Sequence, residues 1–246
     1  MNDYIKDYTR ARRAIDSGLQ RYMVKVYMHM TFGLLITAIT AAATFTFPPL
    51  TNLLLRCDQW GNIMSRTFGG YAVMFAPFCI AMYVSSNFAR ATFARSRLLL
   101  GLYAALIGMS FAELAFFYTI DSLHKTFLIT AFTFGAMSFY GYVTNRDLSS
   151  VGSFCMMAIW GIIISSIVNI FLHSPMVYFL TSFIGVAVFI LFVAYNTQKL
   201  KNLYYELQDT SLVEKAGLMG AFSLYINFLN LFLSLLRFLG EQKRRD

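Results

Sequence analysis

The chain has 246 residues, of which 58% are hydrophobic and 13% are charged, and its mean hydropathy is +0.58. A soluble domain carries about 25% charged residues, so this composition excludes an ordinary soluble fold and indicates a protein covered by lipid. The formal net charge is +8, which would suggest nucleic acid as the partner of a soluble protein. Here the basic residues lie at the ends of apolar segments, as is typical of membrane topology signals, so we expect a lipid bilayer as partner and no nucleic acid.

Apolar segments close to the length of about 20 residues that a helix needs to span a bilayer recur along the whole chain. In chain order they are residues 23–46, 68–87, 98–119, 126–143, 151–172, 177–196 and 217–239. We therefore predict an all-α integral membrane fold with seven transmembrane helices in one domain, residues 23–240. Residues 1–22 form a short basic N-terminal arm and residues 241–246 a basic tail, which leaves no room for a soluble catalytic domain.

The distribution of Lys and Arg predicts the orientation, because cytoplasmic segments collect these residues. An N-terminus in the cytoplasm places Arg10, Arg12, Arg13 and Arg146 on that side, so we predict this orientation. The basic tail after residue 242 argues against it, because seven full spans place that tail outside. If the last apolar segment were re-entrant instead, the tail would lie inside.

Polar and small residues recur in the last apolar segment at spacings of three and four, which places them on one helical face. They are Ala216, Gly220, Ser223, Asn227, Asn230, Ser234 and Arg237. Such a stripe is typical of a contact between helices, where small residues permit close approach and Asn and Ser bond across helices. It would equally fit a path or a sensor, and in either case we expect this polar side of the helix to be buried. Gly161, Ser165 and Asn169 form a similar, weaker face in the fifth segment.

Glu113 is the one acidic residue well inside a predicted span, and intramembrane acids often mark functional sites. Catalytic patterns are missing from the sequence. It has no His-Glu-x-x-His zinc motif, no lysine in the last span for a Schiff base, and no histidine deep in a later span to activate Ser110. We therefore expect a non-enzyme without cofactor or metal site.

Several stretches resemble the Bax inhibitor-1 family, also called transmembrane Bax inhibitor motif proteins. The most specific is residues 223–240, SLYINFLNLFLSLLRFLG. Residues 141–149 (GYVTNRDLS), residues 195–198 (YNTQ) and the opening residues 26–30 (VYMHM) agree with it. The resemblance implies that the C-terminal helix is central in the bundle. It also implies a calcium or other cation leak linked to stress tolerance, in a bacterial cytoplasmic membrane. Some bacterial members instead modulate a membrane-anchored AAA protease.

The chain departs from the family at the positions of its acidic pH sensor, where it carries Asn196 and Asn227. Asparagine does not titrate, so this pair could join two helices by amide–amide bonds but could not sense pH as two carboxylates do. The family's basic latch follows the second helix, where Arg90, Arg95 and Arg97 are the candidates. Two hypotheses remain open. One is a cation leak, with a water-lined path from Glu113 toward Asn227, and the other is a non-conducting interaction protein.

Overall fold

The computed structural model describes residues 2–57, 63–87, 92–207, 210 and 212–243. Within these ranges the side chains are described from residue 17 onward, except at 57, 63, 84, 85 and 87. The helices are α1 Asn2–Thr46, α2 Pro48–Leu54, α3 Phe68–Asn87, α4 Phe93–Phe111, α5 Leu114–Phe117, α6 Ile120–Val143, α7 Ser149–Leu172, α8 Pro175–Leu207 and α9 Val213–Leu239. Two short strands, β1 Leu55–Cys57 and β2 Ile63–Arg66, form an antiparallel pair between α2 and α3.

Six of the seven predicted spans lie within one helix each, and the third covers most of α4 and all of α5. Among the described residues, six helical segments could cross a membrane by length and composition, namely α1, α4 continued through α5, α6, α7, α8 and α9. The helix α3 holds a shorter apolar stretch, Phe68–Tyr83. The all-α membrane fold is thus confirmed, and a seventh crossing by α3 stays a prediction.

Local sequence signals set several helix ends. The Thr119 hydroxyl accepts a hydrogen bond from the Ser122 backbone N–H at 3.2 Å and caps α6, and Thr92 caps α4 in the same way. The helix α7 ends where His173 adopts a left-handed conformation with φ of 50°. Pro175 then begins α8, as its fixed φ favours the first turn of a helix.

Two features differ from the expectation. The helix α1 begins at Asn2 and includes residues assigned to the N-terminal arm, and packing begins by Leu19, which is buried. The hairpin of β1 and β2 was not expected either, because strands of three and four residues carry too little periodicity to be recognised in a sequence.

The helix α9 is the centre of the bundle. In its most apolar stretch 72% of the residues are buried, against 6 to 33% in the other five candidate spans. Leu224, Tyr225 and Leu231 are completely buried. Helices α1, α4, α6 and α8 pack around it, whereas α7 lies outermost against α8. The central position that the family resemblance implies is therefore confirmed.

The helix α9 runs the full length of the bundle. At its beginning Glu214 pairs with Lys25 at 3.2 Å. Beyond its end, the Thr119 N–H donates to the Glu241 carbonyl at 3.1 Å and the Lys243 N–H donates to the Phe117 carbonyl at 2.9 Å. Residues 241–243 thus lie against the α5–α6 junction, at the end opposite to Lys25. A re-entrant last segment, the alternative that the basic tail suggested, does not agree with this continuous helix of 27 residues.

Candidate functional site

The polar stripe of α9 faces α8 and the groove beside it. Gly220 lies against the Leu200 side chain, and a Cβ added at Gly185 of α8 would come within 2.9 Å of the Ser234 hydroxyl oxygen. Asn230, Ser234 and Arg237 line a groove of about 580 Å³ together with residues of α7 and α8.

The stripe is not the more buried side of α9. Asn227 and Ser234 are buried, but Ser223 and Asn230 are half-buried and Arg237 is exposed. The polar side that we expected to be buried is therefore enclosed at Gly220, Asn227 and Ser234 but not at Arg237. The completely buried residues Leu224, Tyr225 and Leu231 of α9 are not part of the stripe.

Asn196 and Asn227 lie on facing helices without bonding to each other. The Asn196 amide donates to the carbonyl of Phe192, one turn earlier in α8, at 3.0 Å. Asn227 is 2% exposed, and its amide nitrogen has no hydrogen-bond partner among the described residues. The amide–amide bonds that this pair could make between α8 and α9 are thus not formed. The contacts of Gly220 with Leu200 and of Ser234 with Gly185 set an antiparallel register in which the two asparagines lie about one turn, or about 5 Å, apart along the axes.

Glu113 occupies the break between α4 and α5 and is paired with Arg66 at the end of β2. One guanidinium nitrogen of Arg66, Nη2, donates to both carboxylate oxygens at 2.9 and 2.8 Å, and its Nε donates to Oε2 at 3.2 Å. The two side chains are 36% and 20% exposed. The intramembrane acid is therefore not isolated, because it anchors the hairpin to the break in α4.

The cavity beside Glu113 has a volume of about 40 Å³. The residues that line it all lie between Thr44 and Phe116 in the sequence. Its described lining includes no residue of α9, so it does not extend to Asn227. The bundle also contains a buried layer in which the Thr37 hydroxyl is 2.7 Å from the Tyr225 hydroxyl and donates to the Ala104 carbonyl at 3.0 Å. These contacts tie α1, α4 and α9 together. Sequence reasoning missed the layer, although Gly33 and Thr37 have the four-residue spacing of an interhelical face.

The candidate latch residues do not contact the two asparagines. Arg90 lies outside the described residues. Arg95 donates to the Tyr83 hydroxyl at 2.6 Å and lies over the same ring, with 5.6 Å to its centroid. Arg97 lines a groove formed with α1 and α9. None of the hydrogen bonds and ion pairs in the described part of the chain joins Arg95 or Arg97 to Asn196 or Asn227.

Comparison with known proteins matches residues 19–245 to the family model described as Inhibitor of apoptosis-promoting Bax1. The chain belongs to the Bax inhibitor-1 family. An uncharacterized protein of Rickettsia prowazekii is 44% identical over 248 residues, covering the whole of both chains. The inner membrane protein YbhL of Escherichia coli K12 is 38% identical over 229 residues, which cover 92% of this chain and 94% of YbhL. An uncharacterized protein of Caulobacter vibrioides is 37% identical over 99% of this chain and 100% of its own length.

Two stretches that carried the Bax inhibitor-1 resemblance meet at one junction in the bundle. The Gln198 side-chain nitrogen donates to the Arg146 carbonyl at 2.8 Å, and its oxygen accepts from the Leu148 N–H at 2.9 Å. Gly141 lies against the backbone of Ala194, so α6 and α8 are in close contact there. The loop between α6 and α7 is thereby fixed to the end of α8.

An acid on this loop is held in its charged form. The backbone N–H and the hydroxyl of Ser149 donate to the Asp147 carboxylate at 2.9 and 2.6 Å, and these bonds lower the pKa of Asp147. The side chain is fully exposed. Asp147 therefore stays ionised over the physiological range and helps to begin α7.

The small-residue face expected on α7 is not a close contact. A Cβ added at Gly161 would have no atom within 4 Å, and Ser165 and Asn169 are half-buried. The prediction of tight packing on this face was wrong. The Asn169 side chain instead accepts a hydrogen bond from the Ser174 N–H at 3.0 Å and stabilises the turn into α8.

Proposed function

We propose that this Bax inhibitor-1 family member is a cation leak, permeable to calcium, of the bacterial cytoplasmic membrane, with its N-terminus in the cytoplasm. The observation that carries the proposal is the Asn227 amide, buried at the middle of the central helix without a partner among the described residues. An unsatisfied buried polar group costs about 1–3 kcal/mol. A polar group is retained at such a position where water or an ion reaches it, as along a permeation path.

The structure is a closed form under this proposal. The cavity beside Glu113 has no described lining residue from α9, and the Thr37–Tyr225–Ala104 layer holds α1, α4 and α9 together. Conduction requires this layer to part, which a shift of α1 against α9 would achieve. Because neither Asn196 nor Asn227 titrates, we expect the leak to depend little on pH.

A second candidate function is supported by the outermost helix. Ser165, Ser166 and Asn169 of α7 are only half-buried, in a helix of which 6% of the apolar stretch is covered. The groove of about 580 Å³ beside α7 is wide enough for side chains of another helix. Polar groups that face lipid are stabilised when they form hydrogen bonds with such a helix. A non-conducting protein that modulates a membrane-anchored AAA protease would use this surface.

The test is calcium entry into liposomes that hold the purified protein and a trapped calcium dye, between pH 7.5 and pH 5. We expect native flux with little pH dependence, and a fall of about tenfold in Asn227→Leu, since about 1.4 kcal/mol of lost polar interaction is a factor of ten. Asn196→Asp combined with Asn227→Asp should gain pH dependence. Asn145→Asp, which changes an exposed loop amide, is the matched control and should behave as native.

An absence of flux in every correctly inserted variant would contradict the leak. Purification of the tagged protein from solubilised bacterial membranes then decides the second candidate. A stoichiometric protease partner that is lost in Asn169→Leu but kept in Asn145→Asp would support it.

A further inference from the structure

A groove of about 420 Å³ opens between α1, α4 and α9 at the end of the bundle where Lys25 meets Glu214. Arg21, Lys25 and Arg97 place three cationic side chains around it. The apolar part of its lining includes Met28 and Phe32, which are 48% and 54% exposed. Because this side of α1 faces lipid, the groove is open sideways to the bilayer.

The charges of the described lining residues do not balance. Glu214 is the one carboxylate among them, and it pairs with Lys25 at 3.2 Å. Within the part of the chain that the structure describes, neither Arg21 nor Arg97 forms an ion pair. Two guanidinium groups are therefore left for a ligand, and guanidinium binds phosphate oxygens through two parallel hydrogen bonds.

The groove changes from polar to apolar along α1. Arg21 and Lys25 lie at one end and Met28 and Phe32 at the other, and Arg21 and Phe32 are about 16 Å apart at 1.5 Å per residue. This length matches a lipid headgroup followed by the upper part of an acyl chain. Arg97 belongs to α4, whose Phe93 meets His29 and whose Gly101 lies near Ile36, so its backbone is level with Phe32. Helical side chains lean toward the N-terminus of their helix, so the Arg97 side chain extends from there toward the basic end.

We propose that this groove binds one anionic phospholipid from the leaflet at the N-terminal end of α1. The phosphodiester lies between Arg21 and Arg97, and an acyl chain follows Met28 and Phe32. The Phe93 ring lies edge-on against His29, with 6.2 Å between ring centroids. It would contact the acyl chain from the side opposite to α1. Basic pockets between membrane helices bind anionic headgroups in this way.

A free phosphate would not account for the groove. Most of its lining is apolar, and a small anion would contact only the basic end. A phospholipid would contact the basic end with its headgroup and the apolar lining with an acyl chain. The inference is independent of ion conduction, because it concerns a different end of the molecule and a binding measurement.

The first test measures lipid retention by native mass spectrometry of the purified protein mixed with dioleoyl phosphatidylglycerol or dioleoyl phosphatidylcholine. We expect one phosphatidylglycerol to be retained in preference to phosphatidylcholine. Arg21→Gln combined with Arg97→Gln should weaken its binding by about tenfold or more. Arg95→Gln is the matched control, because Arg95 lies on the same helix but contacts Tyr83, and it should bind as native.

Equal binding of the two lipids, or native phosphatidylglycerol binding by the double variant, would overturn the proposal. Displacement of the lipid by millimolar inorganic phosphate would instead identify a site for free anions and would also overturn it.

A second test locates the acyl chain and does not depend on the arginine variants. Phe32→Trp is introduced in a protein that carries Trp60→Phe and Trp160→Phe, so that its fluorescence reports the groove alone. Phosphatidylglycerol brominated in the acyl chain should quench this tryptophan at lower lipid fractions than brominated phosphatidylcholine. Equal quenching by both would show only bulk lipid at the groove and would contradict the proposal.

Discussion

Close backbone contact at single glycines fixes the register of the helices. Gly141 of α6 lies against the backbone of Ala194, and an added Cβ there would overlap with atoms that cannot move away. Gly161 of α7 has the opposite surroundings, with no atom within 4 Å of an added Cβ. Two glycines of apolar helices therefore have different roles, which their sequence contexts do not reveal.

We expect Gly141→Ala to destabilise the protein by about 1–3 kcal/mol, because overpacking forces a backbone shift between α6 and α8. Gly161→Ala should leave the stability unchanged or raise it by up to about 1 kcal/mol, since alanine favours the helix. The measurement is unfolding by sodium dodecyl sulfate in mixed micelles. Equal losses in both variants would show that α7 packs more closely than the structure describes.

At the scale of elements, the Arg66–Glu113 pair joins the β1–β2 hairpin to the break between α4 and α5. Three hydrogen bonds between 2.8 and 3.2 Å fix the pair. The acid is 20% exposed, so removal of one partner leaves the other charge partly desolvated. The strands have only three and four residues, and the buried Leu55 side chain is a further contact that holds the hairpin in place.

We expect Glu113→Gln and Arg66→Gln each to cost about 1–3 kcal/mol, at the lower end because both groups are partly hydrated. The double variant should cost clearly less than the two costs added together, and hydrogen exchange should rise first in the hairpin. The micelle unfolding assay with all four proteins gives the coupling. Simple additivity of the two costs would mean that the pair contributes nothing beyond its separate side chains.

For the whole molecule, the arrangement of helices around α9 determines at which residues packing contributes to the free energy of unfolding. Leu231 of α9 is completely buried, whereas Ile164 of α7 is 59% exposed. Lipid is as apolar as either side chain, so burial inside a membrane protein stabilises through packing rather than through removal of apolar surface from water.

Leu231→Ala should therefore cost about 2–5 kcal/mol, because it leaves a cavity that the surrounding helices cannot fill. Ile164→Ala should cost less than about 1 kcal/mol, because lipid tails fill the space that it leaves. Thermal unfolding in lipid nanodiscs compares the two. A large loss in Ile164→Ala would show that a partner or a second copy covers α7.

The predicted fold was close to the structure because spanning segments are a local property. About 20 apolar residues must form a helix in lipid, where no water can satisfy the backbone. Six of the seven segments lie within one helix each, and the third spans α4 and α5. The family was likewise visible in the sequence, since residues 223–240 carry many fixed identities. The hairpin and the α4–α5 break escaped prediction because their signals are short.

The arrangement of the polar groups was decided by the tertiary structure alone. The sequence placed Asn196, Asn227 and Glu113 in or at the ends of spans, but it did not show that Glu113 pairs with Arg66 or that Asn227 has no described partner. The sequence also did not show which faces of each helix pack against other helices and which face lipid. In water a helix buries its apolar face, and the pattern reveals its orientation. In a membrane both lipid and protein accept apolar side chains, so packing of particular shapes decides that α9 is enclosed and α7 is exposed.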